Sequence, residues 1–436
     1  MKTAFKNVIG YEKVKQELLM IADRIKNPQK YEALNVDFPR GVLLYGEPGV
    51  GKSLMTDCFV KETGVKVFVC RKDKANGAFV NEIKKTFEAA KKEPVAIIVL
   101  DDMDKYANSD ESHQNTDEYV TIQTCIDNCK DSKVFILATA NDIDFLPDSL
   151  IRAGRFNRVI HMAAPSGKDA ADIVKHYLKD KHLEQINADE VANLLEGSSC
   201  AQLEMIINDA GLYAGYDNRD NICMDDIVRA FSVIRFRNLC KEQGAEESVD
   251  IDAEEIKHIV YHEAGHVLVS EILDKGSVNY VYFDNCGVRC GITGYSMENY
   301  KRTGYLFSAQ EITLCRTLAG KIATEIVFGL PDIGCSRDID SAVDILEDML
   351  GSNCTFEYGH YYDYLCSDLD KHSSHSVVTY ELARYSSIAQ RIIMKNREFL
   401  DVLANTLLEK HYLLRSDIQR IEEDFNIVGG GNKFGG

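Results

Sequence analysis

The chain has 436 residues, of which 45% are apolar, so it is long and apolar enough for two or three domains with proper cores. Its 50 lysines and arginines against 69 acidic residues give a formal net charge of −19. That charge argues against a general surface for nucleic acid or anionic membranes. The 13 cysteines are scattered through the chain, which is typical of free thiols in a reducing compartment.

The N-terminus has no uninterrupted apolar core of a signal peptide. No window approaches the ~18 consecutive apolar residues that span a bilayer. We therefore expect a cytoplasmic, soluble chain that does not cross a membrane. Two cysteine pairs, Cys125/Cys129 and Cys286/Cys290, lack the spacing of a zinc ribbon, and we interpret both as free thiols.

A phosphate-binding loop follows the first apolar run. An amphipathic helix is predicted over Glu12–Arg24, and the run 40–45 leads into Gly46-Glu47-Pro48-Gly49-Val50-Gly51-Lys52-Ser53, with a helix opening at Leu54. The glycines let backbone N–H groups turn toward a phosphate, and the helix N-terminus adds its dipole. Lys52 would bridge the β- and γ-phosphates, and Ser53 would hold Mg²⁺. The segment therefore predicts a site for ATP with Mg²⁺.

Short apolar runs alternate with helical patterns in the next hundred residues. The runs are Val65–Cys70, Val95–Leu100, Val134–Thr139 and Val159–Met162, and the helical patterns are Val80–Lys92 and Glu118–Cys129. Such alternation is typical of a buried parallel sheet with helices on both faces. We predict a doubly wound α/β domain.

Polar side chains follow two of these strands. Asp101 and Asp102 come at the carboxyl end of one run, where one carboxylate would hold Mg²⁺ and the other would activate the attacking water. Asn141 follows the next run, and it either orients that water or forms a turn. Three arginines lie within 152–158, and they either make surface salt bridges or reach a γ-phosphate across a subunit interface.

The remaining chain is mostly helical in pattern. Helices are predicted at Ala170–Leu178, Ala188–Leu195, Gln202–Tyr213 and Met224–Leu239, a linker at Glu242–Asp252, and a strand patch at Val278–Phe283 and Gly291–Ser296. We expect a nucleotide-binding core over 1–163, a helical lid over 164–243, a second domain over 253–427 and a flexible tail over 428–436.

The second domain carries the pentapeptide His262-Glu263-Ala264-Gly265-His266 inside a run with helical periodicity. Residues four apart share one helix face, so His262 and His266 can hold one cation, and Glu263 can take a proton from a water there. The alternative is a chance pair of histidines on a helix. The longer metzincin motif is excluded, because Val269 and Ile272 stand where it needs Gly and His.

In order and spacing, the P-loop, the double acid, Asn141, the arginine element and the His-Glu-x-x-His motif resemble the FtsH-type AAA+ zinc metalloproteases. The resemblance covers nearly the whole chain. Residues 5–10 look like the family's adenine-side segment, which implies nucleotide contacts from Ile9 and Gly10, and residues 318–329 look like its peptidase helix. It implies an α/β P-loop AAA+ ATPase with a helical lid, followed by a mainly α-helical zinc metallopeptidase domain.

The resemblance also implies cofactors and partners. It implies a ring, a hexamer, that uses ATP to pull unfolded or tagged proteins into a chamber with one Zn²⁺ per subunit. It nominates Asp338 as the third zinc ligand, with Asp340 as the fallback, although Asp338 would also suit a helix N-terminus. Arg155 and Arg158 would be the arginine fingers that reach the neighbouring subunit's nucleotide. Nucleic acid is not an expected partner, and peripheral membrane association is implied because the family is usually membrane-anchored.

Four departures from the family stand out. The second acid is Asp102 where the family has Glu, and its shorter side chain would slow hydrolysis. The segment 70–78 is shorter than the family's and lacks its aromatic-Val-Gly pore loop, leaving Phe79 as the nearest aromatic residue. Four tyrosines without a family counterpart lie at Tyr358, Tyr361, Tyr362 and Tyr364, and the usual membrane anchor is absent, as in a soluble variant or a fragment.

The sequence therefore predicts an ATP-dependent zinc metalloendopeptidase. Two other functions stay open. One is an ATP-driven remodelling protein or chaperone with a vestigial peptidase, which the intact His-Glu-x-x-His motif disfavours. The other is a zinc peptidase whose ATPase serves mainly as an assembly switch, which Asp102 and the altered pore loop favour.

Overall fold

The computed structural model describes residues 4–72, 78–106, 117–130, 132–151, 154–156, 158–243, 252–283, 291–296, 307–330, 333–351 and 368–425. Most of the altered pore segment, most of the linker, the pair Cys286/Cys290, the four tyrosines and the tail lie outside these residues. The chain divides into two compact units, Met1–Lys181 with Gly197–Asn208, and His182–Glu196 with Asp209–Gly436. The domain boundaries given above stay a prediction.

The first unit is built on a parallel sheet. Its strands are β1 (Gly41–Tyr45), β2 (Lys66–Arg71), β3 (Ala96–Asp101), β4 (Val134–Ala140) and β5 (Arg158–His161), and their order is β2-β3-β4-β1-β5. All neighbouring pairs among them are parallel. β1, β3 and β4 are buried almost throughout, as near-continuous apolar runs require. The predicted sheet is confirmed, and the carboxyl ends of its central strands meet at one edge.

Helices cover both faces of this sheet. The helices up to residue 178 are α1 (Glu12–Lys26), α2 (Pro28–Glu32), α3 (Lys52–Thr63), α4 (Ala78–Ala90), α5 (Asp117–Asp127), α6 (Asp148–Ile151) and α7 (Gly167–Leu178), with 3₁₀ turns at Ala4–Asn7 and Met103–Lys105. Of these, α7 lies in the region predicted as the lid. Alternate strand residues point to opposite faces. Leu43 accordingly packs in the core beneath α4 and α5, while Val42 and Leu44 pack in the core beneath α1 and α3.

Three helices follow in the region predicted as the lid. They are α8 (Ala188–Leu194), α9 (Cys200–Tyr216) and α10 (Met224–Gln243). Each corresponds to a predicted helical pattern. The division between the two compact units falls within α9, between Asn208 and Asp209.

The second unit continues with six helices and a small antiparallel sheet in its described residues. The helices are α11 (Ala253–Leu273), α12 (Phe307–Phe328), α13 (Ser336–Gly351), α14 (Asp368–Lys395), α15 (Arg397–Lys410) and α16 (Arg415–Asp424). The strands β6 (Val278–Phe283), β7 (Gly291–Tyr295) and β8 (Tyr412–Leu414) run in the order β7-β6-β8. The pattern did not predict β8, which has only three residues. None of the helices in the described ranges combines the length and apolar character needed to cross a bilayer.

The helix α11 forms the centre of the second unit. Asp252 caps its N-terminus by accepting hydrogen bonds from the backbone N–H groups of Glu254 and Glu255, both at 2.8 Å. A helix surrounded by other elements is buried all round, and α11 is buried almost continuously from Ile259. Gly265 lets α12 approach closely, because a Cβ there would lie 2.6 Å from the Cβ of Ala323.

The C-terminal end of α11 is fixed by a buried carboxylate. Glu271 is fully buried and accepts hydrogen bonds from the backbone N–H groups of Gly276 at 2.6 Å and Val278 at 2.8 Å. Arg415 donates to Glu271 at 2.7 Å and also binds the equally buried Glu422. One guanidinium thus joins two buried carboxylates and ties α16 to α11.

Candidate zinc and nucleotide sites

Three predicted metal ligands meet at one point in the second unit. The Nε2 atoms of His262 and His266, one helical turn apart on α11, are 3.0 Å from each other. The Oδ2 atom of Asp338, in the first turn of α13, is 3.0 Å from the His262 nitrogen and 3.3 Å from the His266 nitrogen. Asp340 is exposed and does not join this cluster.

The spacing of these atoms fits a tetrahedral zinc site. Ligands at about 2.0–2.1 Å from Zn²⁺ lie roughly 3.3 Å from one another in a tetrahedron. The three atoms found here are 3.0 to 3.3 Å apart. Two imidazoles with one carboxylate also form a donor set that zinc accepts, and the fourth position is left for water or substrate. The residues therefore fit the metal.

Charged neighbours shift the pKa values of two residues in the cluster. Burial alone would raise the pKa of Asp338, but hydrogen bonds from His262 and His266 hold that pKa below its usual range. Burial would lower the pKa of His266, but Asp338 and Glu263 outweigh burial and raise it. Asp338 and His266 therefore shift each other's pKa values in opposite directions, downward for Asp338 and upward for His266.

The two histidines are held differently. The Nδ1–H of His266 donates to the carbonyl of Arg316 on α12 at 2.7 Å, which fixes the ring and its tautomer. The buried Nδ1 of His262 has no hydrogen-bond partner in the described residues. The His262 ring instead lies against the backbone of Gly320, where a Cβ would come within 2.5 Å of Nε2.

Glu263 lies beside the metal cluster, with only 7% of its surface exposed. The hydroxyl of Thr293, on β7, donates to its Oε2 atom at 2.6 Å. Glu263, Thr293 and the three ligands share a cleft of about 330 Å³. A carboxylate held this way at one oxygen can take and deliver a proton at the other.

The P-loop of the first unit has the expected form. Gly46, Gly49 and Gly51 have φ values of 149°, 85° and 99°, which turn the backbone around an open centre. Lys52 is buried at the start of α3 and donates to the carbonyls of Gly46 and Glu47. Burial lowers the pKa of Lys52, although Asp102 and Asp104 oppose this shift. The next residues of the loop, Ser53 and Leu54, are exposed.

Polar groups meet the P-loop at the carboxyl ends of β3 and β4. The side-chain oxygen of Asn141 accepts from Lys52 Nζ at 2.9 Å. Asp104 accepts from the backbone N–H and side-chain amide of Asn141, both at 3.0 Å. Sequence reasoning missed Asp104, although its position three residues after Asp101, behind a buried strand, was the available signal.

The two acids that follow β3 are each paired with a cation. Asp101 accepts from the Thr139 hydroxyl at 2.8 Å and from Arg71. Asp102 has a left-handed φ of 53° and accepts from Lys105 at 2.6 Å. Arg71 and Lys105 are mostly exposed, so these ion pairs are weak and easily exchanged for a metal ion. Neither ion pair was predictable from the spacing of the residues.

The other predicted nucleotide residues contact protein groups outside this cluster. Arg155 donates to the Ser149 carbonyl and to Asp127, and Arg158 donates to Glu17 at 3.1 Å. Gly10, which follows Ile9, has a φ of 70° and lies against the carboxylate of Asp169. Phe79 is fully buried, with its ring edge-on to Tyr106 at 4.9 Å, and therefore belongs to the core.

Comparison with known proteins links both sites to one family. Residues 42–164 match the ATPase family associated with various cellular activities (AAA). The ATP-dependent zinc metalloprotease FtsH 2 of Thermoanaerobacter sp. (strain X514) is 26% identical over 97% of this chain and 84% of its own length. The ATP-dependent zinc metalloproteases FtsH of Pelobacter propionicus and Mycoplasma pneumoniae are 28% and 30% identical, over 98% and 96% of this chain.

These relatives are longer than this chain. It spans 72% of the Pelobacter propionicus protein and 62% of the Mycoplasma pneumoniae protein. The matched part nevertheless runs through both units, and the predicted fold class is confirmed. The resemblance to the FtsH-type AAA+ zinc metalloproteases, predicted from the sequence, is therefore confirmed over nearly the whole chain.

Proposed function

We propose that this chain is an ATP-dependent zinc metalloendopeptidase that unfolds and degrades proteins as a ring, with six subunits. The observation that carries the proposal is the convergence of His262, His266 and Asp338 beside Glu263. The complete P-loop in the first unit of the same chain supports the coupling of cleavage to ATP. Unfolded or tagged proteins are the proposed substrates.

In this proposal His262, His266 and Asp338 would hold zinc, which would supply a Lewis acid for the peptide carbonyl and for the attacking water. Glu263 takes a proton from the attacking water at its carboxylate and later delivers it to the leaving amine. Because the Thr293 hydroxyl donates to Oε2 of Glu263, the other carboxylate oxygen is available for this proton transfer. β7 lies at the edge of its sheet in the described residues, where an extended substrate can add as a further strand.

The nucleotide is proposed to bind at the P-loop. The backbone of Gly46–Leu54 and Lys52 would hold its phosphates, and Ser53 and Asp101 would hold Mg²⁺. Asp102 and Asn141 would position the attacking water, and Ile9 and Gly10 would border the adenine. Arg155 and Arg158 would act on the nucleotide of the neighbouring subunit.

The first experiment measures zinc per chain and casein degradation with ATP in the wild type and three variants. Asp338→Ala is expected to lose zinc and cleavage together, because it removes one of three ligands. Glu263→Gln is expected to keep zinc while cleavage falls by about 10²–10⁴-fold. Asp340→Ala is the matched control from the same turn of α13 and should keep both. A wild type that carries no zinc and cleaves nothing would refute the proposal.

A second candidate is a zinc peptidase whose ATPase is mainly an assembly switch. The specific observation in its favour is Asp102, which is short for its role and is held by Lys105. Cleavage supported equally by ATP and by a non-hydrolysable analogue would favour this candidate. Cleavage that requires hydrolysis would exclude it.

A further inference from the structure

A second pocket adjoins the zinc cleft. It has a volume of about 370 Å³ and shares Thr293, Tyr295 and Arg316 with the cleft that contains the metal ligands. Ile292 and Ile312 contribute apolar surface, and the ring of Tyr280 lines it as well. Because both spaces share these residues, a polypeptide bound at the zinc site has its neighbouring side chains within reach of this pocket.

The cation Arg316 stands between the two spaces. Its backbone carbonyl holds His266, while its guanidinium lies over the ring of Tyr295, 4.2 Å from the ring centre. The side chain is half-buried and makes no salt bridge in the part of the chain that the structure describes. A partly desolvated cation gains most from a carboxylate, which can accept two hydrogen bonds from the guanidinium in one plane.

The other charges of the pocket leave it cationic. Arg235 and Asp274 are the remaining charged residues of its lining, so two arginines face one carboxylate. Arg235 lies near Tyr280, whose pKa is raised by burial and lowered in part by this arginine. The pocket therefore favours a negatively charged group over a neutral or positive one.

We propose that this pocket selects substrates with an acidic side chain close to the scissile bond, through an ion pair with Arg316. The inference rests on the proposed peptidase function and specifies its sequence preference. An aspartate or glutamate would place its methylene groups against Ile292 and Ile312 and its carboxylate on the guanidinium. Arg316 is thus a specificity-determining residue, and its backbone would still hold His266 after substitution.

The test uses short quenched-fluorescence peptides that differ only by Glu, Gln or Lys at positions next to the cleaved bond. One set has a free C-terminus and one an amidated C-terminus, so a preference for a terminal carboxylate is distinguishable from a preference for an acidic side chain. The proteins are the full-length wild type, Arg316→Gln, Arg316→Glu and Arg391→Gln. Arg391 is an exposed arginine on α14 and serves as the matched control.

The wild type and Arg391→Gln are expected to cleave the amidated Glu peptide about tenfold more efficiently, by kcat/KM, than the Gln peptide. Arg316→Gln should abolish this ratio and Arg316→Glu should reverse it in favour of the Lys peptide, with zinc content unchanged in both. An equal ratio in the wild type and Arg316→Glu, or a preference that amidation removes, would overturn the inference. If no peptide is cleaved by a wild type without zinc, the proposed peptidase function fails instead.

Discussion

The contact between Gly320 and the His262 ring gives the sharpest prediction. An added Cβ at Gly320 would lie 2.5 Å from Nε2 and 2.6 Å from Cδ2 and Cε1 of that ring. Non-bonded carbon atoms are comfortable at about 3.5–4.0 Å, so the ring in Gly320→Ala must retreat by about 1 Å. Zinc sites tolerate deviations of only ~0.2 Å in ligand distance. We therefore expect zinc affinity to fall by at least about 100-fold.

The assay is a competition titration of zinc between the metal-free protein and a fluorescent chelator, with casein cleavage measured in parallel. Gly215→Ala is the matched control, because Gly215 also lies within a helix, α9, and a Cβ there would meet no atom within 4 Å. The control should bind zinc normally and gain about 0.5–1 kcal/mol of stability. Circular dichroism shows whether each variant is folded. A folded Gly320→Ala variant with wild-type zinc affinity would refute the reasoning.

Three further predictions concern two other carboxylates, those of Glu271 and Asp104. Glu271→Ala leaves two buried backbone N–H groups without their acceptor and removes one of the two carboxylates bound by Arg415, so it should cost about 4 kcal/mol and speed local hydrogen exchange by about 10³-fold. Glu325→Ala, in a partly exposed ion pair, should cost under about 1 kcal/mol, and equal exchange in both variants would contradict this. Burial and then Glu422 raise the pKa of Glu271 to about 8, so the folded state keeps a proton that the unfolded state has released, and stability should fall as the pH rises from about 5 to about 8. Glu271→Gln should remove that slope in thermal unfolding, and a slope that persists would assign it to another group. Asp104→Ala frees Asn141 and should lower the ATPase kcat by roughly 100-fold while nucleotide binding, measured by calorimetry, is retained; an unchanged kcat would exclude a positioning role for Asp104.

Local patterns predicted the elements of this fold well. The strands of the parallel sheet are short apolar runs bounded by turn residues, and burial on both faces makes such runs recognisable. β8 could not be predicted, because its three residues pair with β6 only through tertiary packing. Helix ends moved by a few residues, as at α9, which was predicted over Gln202–Tyr213 and extends over Cys200–Tyr216.

Site residues could be predicted where the residues that act together are close in the sequence. The P-loop and the histidine pair are each contained in one turn or loop, so their spacing alone carries the geometry. Asp338 lies 72 residues after His266, and only the family resemblance nominated it. Thr293 and the carbonyl of Arg316 act across elements that meet only in the folded chain, so no sequence spacing indicates them.

Because Thr293 hydrogen-bonds to Glu263, metal binding and catalytic activity depend on different elements of the fold, although the two are commonly measured as one. The proposed metal ligands lie on α11 and α13, whereas Glu263, the carboxylate proposed to transfer the proton, is oriented by Thr293 of β7, the strand proposed to align the substrate. A structural change confined to β7 would therefore abolish activity while the proposed ligands still bound zinc. The zinc content of a preparation is consequently an unreliable measure of its active fraction. Activity should instead be normalised to the concentration of active sites, titrated with a substrate-like inhibitor.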